Sequence, residues 1–268
     1  MSKEAWRPTA FLFDLDGTLY TDAGPVPGAV QALAGLRRRG VPFRYVTNTT
    51  RRSRRLLADR LAGYGFEARS EEIVSAPHAC VATLRSRGVR RVAAYVADET
   101  LEDFASFDLA AARPEAVVVG DLGDAWDFAK LNRAFLQLMD GAELIALQRD
   151  RYWLRGDGLA LDAGPFVAAL EYATGKTAAV CGKPSAAFYA AAVASLPVGA
   201  AARAIVMVGD DLWGDVQGAQ QAGLTAWMVR TGKFRADVVA SSGITPDRVI
   251  DSVAELPSLL GVPSTPIS

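Results

Sequence analysis

Phe11-Leu12-Phe13-Asp14-Leu15-Asp16-Gly17-Thr18-Leu19 places two carboxylates directly after a short apolar run and follows them at once with a glycine. The run reads as a buried strand, and Gly17-Thr18 as the point where the backbone turns away from it. Acids at i and i+2 on a strand point the same way. Asp14 and Asp16 are therefore expected at one sheet edge, where their mutual repulsion calls for a cation. A hard divalent ion such as Mg2+, which takes oxygen ligands and keeps some of its waters, answers that need.

Working outward, Pro25 and Pro27 mark a loop, and residues 28–39 carry helical spacing through Val30, Leu33 and Leu36 before Gly40 stops them. Residues 41–46 read as a second strand that ends in Thr47-Asn48-Thr49-Thr50. Strand, helix, strand is a βαβ unit, so both strands should run parallel and open on one crevice, the place where open α/β sheets bind ligands. Asp14, Asp16, Thr47 and Asn48 are expected to converge there. Helical patterns follow at 53–64 and 77–87 around the short strand Ile73-Val74-Ser75. Beyond them, 91–96, 115–119 and 144–147 read as strands separated by helices at 101–107 and 126–139, with a further strand at 152–154, a turn at Gly156-Asp157-Gly158 and a helix at 166–173.

The opening pattern then recurs. Residues 178–181 lead into Gly182-Lys183-Pro184, and 205–208 lead into Gly209-Asp210-Asp211, so short apolar runs again end in ionisable groups beside glycine. Asp215 is expected to begin a helix that runs through Ala222, ahead of a buried strand at 224–229 and the sequence Thr231-Gly232-Lys233. A short amphipathic stretch at 249–260 closes the chain, with frayed residues after it.

Composition narrows the chemistry. The chain has 268 residues, 50% of them hydrophobic and 22% charged, enough to bury one large or two moderate cores. A formal net charge of -1 speaks against a general nucleic-acid binder, and the dense cluster Arg51, Arg52, Arg54 and Arg55 reads as a solvated helix face or a local attractor for an anionic substrate. No run approaches the ~20 apolar residues that a membrane span needs, and Met1 to Pro8 lacks the apolar stretch of a signal peptide. A cytoplasmic protein is expected. Cys80 and Cys181 are too few for a disulfide framework and read as packed thiols, with a redox-sensitive Cys181 as the lesser reading. His78 is the only histidine, which removes histidine-based triads and histidine-rich zinc sites together.

What remains is carboxylate, lysine, hydroxyl and hard-metal chemistry. A carboxylate that attacks phosphorus forms an aspartyl-phosphate, and a neighbouring acid can protonate the leaving oxygen and then deprotonate the incoming water. Asp14 suits the first task and Asp16 the second. Mg2+ held by Asp14, the Asp16 carbonyl and Asp210 would neutralise a phosphoryl group, Lys183 would add positive charge, and the Thr47 hydroxyl with the Asn48 amide would donate hydrogen bonds to it. Taken singly, each residue has a plain structural reading: Asp-x-Asp-Gly as a turn, Asp210-Asp211 or Asp215 as a helix N-cap, Lys183 as a surface lysine. Their joint occurrence at four strand ends favours a site.

Asp14-Leu15-Asp16-Gly17-Thr18, Val46-Thr47-Asn48, Gly182-Lys183-Pro184 and Val208-Gly209-Asp210-Asp211 with Asp215 resemble, in order, the four motifs of the haloacid dehalogenase superfamily of phosphatases. The segment between the second and third motifs resembles the large α/β cap of one subclass, IIA. Residues 144–147, 151–152, 158–166, 169–173 and 230–235 resemble its branch of phospholysine phosphohistidine inorganic pyrophosphate phosphatases and haloacid dehalogenase-like hydrolase domain-containing protein 2. The resemblance implies an α/β fold with a Rossmann-like core, residues 1–78 and 178–268, a parallel sheet with helices on both faces, and an inserted cap at 79–177. It also implies Mg2+-dependent hydrolysis of a small phosphorylated molecule, without nucleic-acid or membrane partners, and homodimers formed through the cap. By matching position Asp14 is the nucleophile, Asp16 the acid/base and a metal ligand, Thr47 and Asn48 phosphate binders, Lys183 the charge neutraliser and Asp210 a metal ligand. Asp215 orients Lys183 or metal-bound water, and Asp211 supports. Phosphotransfer to another hydroxyl and a binding module without turnover are the rival readings. Tyr152 and Trp153 stand either in the cap core or against a substrate rim.

Overall fold

The computed structural model describes residues 8–155, 158–197, 199 and 201–261. The readings made above for the first seven residues, for Gly156-Asp157 and for the last seven residues lie outside it. In chain order the strands are β1 (Ala10–Asp14), the hairpin pair β2 (Tyr20–Thr21) and β3 (Gly24–Pro25), β4 (Phe43–Thr47), β5 (Ile73–Ser75), β6 (Val92–Tyr95), β7 (Ala116–Val119), β8 (Glu143–Ala146), β9 (Tyr152–Arg155), β10 (Gly158–Leu161), β11 (Ala179–Val180), β12 (Ile205–Gly209), β13 (Thr225–Val229) and β14 (Arg248–Ile250). The α-helices are α1 (Ala29–Arg38), α2 (Arg54–Gly63), α3 (Ala76–Ser86), α4 (Phe128–Met139), α5 (Ala163–Thr174), α6 (Ala186–Ala194), α7 (Gly218–Gln221), α8 (Ala236–Ser242) and α9 (Leu256–Leu259). The described residues form two compact units, one within 8–47, 58–74 and 192–261, the other within 48–57 and 75–191.

The first unit is built on a six-stranded sheet in the order β14-β13-β12-β1-β4-β5. The pairings of β1 with β4 and β12, and of β13 with β12 and β14, are parallel, as the βαβ spacing requires. All five residues of β1, β12 and β13 are buried, which explains why these strands read as continuous apolar runs rather than alternating ones. Phe11, Phe13 and Phe43 make successive ring contacts, Phe11 stacked on Phe13 and Phe43 edge-on to it, and these rings pin the centre of the sheet.

The same unit carries a buried carboxylate whose task is structural. Arg37 grips Glu72 with both guanidinium nitrogens at 2.7 and 3.1 Å, while Arg69 donates its backbone N–H at 3.0 Å and a side-chain N–H at 3.2 Å. Burial alone pushes the Glu72 carboxyl up, but the hydrogen bonds from Arg37 and Arg69 outweigh it and pull the group from 4.5 to about 2. Because the folded value lies below the unfolded one, this contribution is present above about pH 4.5 and is lost as the pH falls towards 2. Glu72→Gln should therefore cost about 2 kcal/mol near neutral pH, with the gap to the parent narrowing as the pH falls through that window. Urea unfolding at a series of pH values reads the effect, and a pH-independent gap would contradict it.

The second unit holds a four-stranded parallel sheet in the order β11-β8-β7-β6 and the antiparallel hairpin β9-β10. Strand β11, expected beside the first crevice, instead pairs with β8: Ala179 lies opposite Ile145 and Val180 opposite Ala146. One group of buried residues joins Cys80, Leu84, Phe104, Val118 and Cys181, and another joins Val119, Leu138, Leu144, Val167 and Leu170. Cys80 and Cys181 are both free thiols in that core and share a hydrogen bond, in keeping with packed thiols. Of the arginine cluster, Arg51 pairs with Asp121 at 3.3 Å and lies 5.7 Å from the Trp153 ring, Arg54 pairs with Asp103 and Arg55 with Glu102.

Several local readings change. The 101–107 helix is a 3-10 helix at Asp98–Phe104, and the helix expected from Asp215 starts earlier, as a π-helix at Leu212–Gln217 continued by α7. The reason is Asp211, whose carboxylate accepts from the backbone N–H groups of Trp213 at 3.0 Å and Gly214 at 2.8 Å and so caps the helix four residues ahead of Asp215. The amphipathic reading of 249–260 resolves into β14, a 3-10 turn and α9. No helix among the described residues is long and apolar enough to cross a membrane.

Candidate functional site

Asp14 is the last residue of β1 and lies opposite Val46 of β4, so Thr47 stands one residue beyond it at the same sheet edge. On the other flank Phe13 pairs with Val208, which brings Gly209 level with Asp14 and Asp210 just past it. Parallel in-register strands thus deliver Asp14, Thr47 and Asp210 to one edge, and all three are buried. Asp215 joins them from the first turns of the π-helix. One carboxylate oxygen each from Asp14, Asp210 and Asp215 lies within 4.8 Å of the others.

Glycines make this clustering possible. A Cβ on Gly17 would fall 2.2 Å from Asp210 Oδ2, one on Gly232 would fall 2.0 Å from the same oxygen, and one on Gly209 would fall 2.1 Å from Asp215 Oδ2. Gly17 and Gly232 also have φ of +82° and +66°, a region where L side chains are strained. Asp210 is oriented further by Lys233, whose backbone N–H donates to Oδ2 at 2.7 Å. The Lys233 ammonium pairs with Asp211 at 2.8 Å, and Asp215 accepts the Asp211 N–H at 3.1 Å.

The Asp16 carboxylate is not one of that buried cluster. The same-face expectation for Asp14 and Asp16 rested on a strand running through both, whereas β1 ends at Asp14 and the chain folds back on itself. Leu15 C=O accepts from Leu19 N–H at 2.9 Å, and Gly17 N–H donates to Tyr20 C=O at 2.7 Å. The Asp16 side chain is exposed and accepts a hydrogen bond from the Tyr20 hydroxyl at 3.3 Å. Burial pushes the Tyr20 phenol well above its ordinary value, and the carboxylates of Asp16 and Asp14 add to this, so the hydroxyl remains a proton donor at any working pH.

Asn48 and Lys183 both belong to the second unit, and their meeting there is close. The Asn48 carboxamide accepts from Lys183 N–H at 2.7 Å and donates to Lys183 C=O at 3.0 Å, a two-point grip on one residue's backbone. Gly182 permits it, since a Cβ there would fall 2.7 Å from Asn48 Oδ1 and 2.5 Å from Leu147 O. Lys183 is buried. The sequence reading assigned Asn48 a backbone role and had no means of assigning its side chain. Thr231-Gly232-Lys233, noted in the sequence without a role, repeats the signal used elsewhere, a glycine and an ionisable group just past the apolar strand β13.

The chain matches the family model described as haloacid dehalogenase-like hydrolase over residues 11–110, and a second, HAD-hydrolase-like, over 180–256. It belongs to the haloacid dehalogenase-like hydrolases. Haloacid dehalogenase-like hydrolase domain-containing protein 2 from Homo sapiens is 43% identical over 227 residues, covering 85% of this chain and 86% of that protein. Phospholysine phosphohistidine inorganic pyrophosphate phosphatase from Homo sapiens is 36% identical over 256 residues, covering 93% of each. Among solved structures, glycerol phosphate phosphatase from Mycobacterium tuberculosis in complex with calcium superposes with a TM-score of 0.81 at 31% identity, over 93% of this chain and 74% of that one. Within its family the chain is a phosphatase, a hydrolase of phosphate esters.

Proposed function

We propose that this phosphatase is Mg2+-dependent and hydrolyses a small phosphorylated molecule through an aspartyl-phosphate on Asp14. The observation that carries the reading is the buried trio Asp14, Asp210 and Asp215. Three ionised carboxylate oxygens within 4.8 Å of one another repel by roughly 3 kcal/mol per pair at an effective dielectric near 20, a cost that a bound cation would offset. The donor set is all hard oxygen and suits Mg2+. The Asp16 carbonyl is a further proposed ligand. Bound there, the ion would supply charge neutralisation to the incoming phosphoryl group.

The chain's own residues do the rest. Asp14, at the mouth of the sheet, is the nucleophile. Asp16, whose exposed carboxylate is not one of the trio, is proposed to serve as acid and then base. Thr47 and Asn48 are proposed to bind phosphate, Lys183 to add positive charge with its backbone clamped by Asn48, and Asp211 to support the edge through Lys233. The inserted segment 79–177 is proposed as the cap that chooses the substrate, with Tyr152 and Trp153 as its candidate contacts. Substrates are phosphomonoesters, with phosphoramidates and pyrophosphate added because one relative is named for acting on them.

Phosphate release from p-nitrophenyl phosphate, a phosphoramidate and pyrophosphate, each with Mg2+ and with a chelator, tests the proposal. Turnover should fall at least a hundredfold on chelation and return with Mg2+. Chelator-insensitive turnover would remove the metal from the mechanism. Phosphate transferred to an added alcohol in place of release would favour a transferase, and no turnover on any substrate would favour a binding module.

A further inference from the structure

The buried phenol beneath Asp16 has no role in the steps above. Tyr20 is only 1% exposed, yet its hydroxyl reaches the exposed Asp16 carboxylate four residues earlier in the chain. Its place is set by backbone bonds: Tyr20 N–H donates to Leu15 C=O at 3.3 Å, Tyr20 C=O accepts from Gly17, and the β2-β3 hairpin pairs Tyr20 with Pro25. Its ring is held on two sides, by the Arg60 guanidinium 4.5 Å from the ring centroid and by Tyr64, whose ring centroid lies 5.2 Å away. A rigid ring with two torsions therefore delivers one donor to one oxygen, and the cation over its face draws density from the ring and strengthens the O–H as a donor to Asp16.

We infer that Tyr20, backed by Arg60, is a positioning residue that occupies Asp16 Oδ2 and so assigns the travelling proton to Asp16 Oδ1. This rests on Asp16 being the acid/base. In the first step an Asp14 carboxylate oxygen bonds to phosphorus as the bond from phosphorus to the ester oxygen breaks. The bonding pair stays on the leaving oxygen, which takes the proton from Asp16 Oδ1. In the second step water bonds to phosphorus, its proton passes to Asp16 Oδ1, and the Asp14 carboxylate departs with the electron pair of the broken bond. Tyr20 keeps its own proton throughout. Without its hydroxyl the exposed carboxylate can rotate, and either oxygen can turn away from the leaving group.

Leaving-group dependence separates this from a plain packing role. p-Nitrophenolate departs without being protonated, whereas an alkoxide needs the proton. Tyr20→Phe should lower kcat/KM for β-glycerophosphate about tenfold more than for p-nitrophenyl phosphate. A loss of packing would depress both equally. Replacing Tyr20 with 3-fluorotyrosine, which keeps the ring and strengthens the donor, should narrow the ratio of the two substrates and serves as the reading if Tyr20→Phe is poorly folded by circular dichroism. Asp16→Asn is the control. If it shows strong leaving-group dependence while both Tyr20 variants leave the ratio unchanged, the positioning role is overturned alone. If Asp16→Asn leaves the ratio unchanged, the acid/base assignment falls, and the role of Tyr20 with it.

Discussion

Asp14→Asn is expected to reduce turnover of p-nitrophenyl phosphate by at least about four orders of magnitude while leaving the protein folded. An amide oxygen of the same size in the same place is a poor nucleophile, so substrate still binds and nothing attacks. The metal-free protein should also become more stable. Asp14, Asp210 and Asp215 are 6%, 1% and 0% exposed, so their repulsion is poorly screened by solvent, and neutralising one of three removes two of the three repulsive pairs. For a chain of this size each kcal/mol relieved moves Tm by about 2–4 °C. Added Mg2+ should then raise Tm less in the variant than in the parent, because one of its carboxylate ligands is gone. Thermal melts with and without Mg2+, beside a p-nitrophenol assay, read all three effects. Residual activity within a factor of ten of the parent would mean that another group attacks phosphorus.

That prediction draws on the part of the chain most legible from sequence. The apolar runs before Asp14, Thr47 and Asp210 are local signals, and parallel pairing in register converts strand ends into neighbours without further information. What escaped the reading depends on where a strand stops and on bonds between distant residues. Asp14 and Asp16 look equivalent when the strand is extended through both. Once β1 ends at Asp14, the chain turns Asp16 out to Tyr20 and leaves its place in the buried group to Asp215, two hundred residues away. The two-point grip of Asn48 on Lys183 is equally silent in sequence, since a carboxamide has no periodicity and its partner atoms are backbone. Strand β11 failed for a different reason. A two-residue strand carries too little pattern to say which sheet it joins.

The same dependence on distant contacts makes Gly232→Ala the most damaging small change away from the carboxylates themselves. A methyl group at this position would lie 2.0 Å from Asp210 Oδ2 and 2.7 Å from the Gly17 Cα. The second contact is to backbone, and Gly17 cannot retreat freely, because its N–H is bonded to Tyr20 C=O at 2.7 Å. The strain of a non-glycine residue at φ +66° adds about 1 kcal/mol. The chain must therefore move Asp210, and with it the bond from Lys233 N–H to Oδ2 that holds the carboxylate towards its two partners. Since the carboxylate is displaced and not removed, high Mg2+ should restore part of the activity. The Mg2+ concentration for half-maximal turnover is expected to rise about a hundredfold, with a smaller loss at saturation. Gly223→Ala is the matched control: it too has a positive φ, +80°, but nothing stands within 4 Å of the added carbon. It should carry the backbone strain alone, lowering Tm with the Mg2+ requirement unchanged. Equal Mg2+ dependence in the two variants would show that the close approach of Gly232 to Asp210 does not govern metal binding.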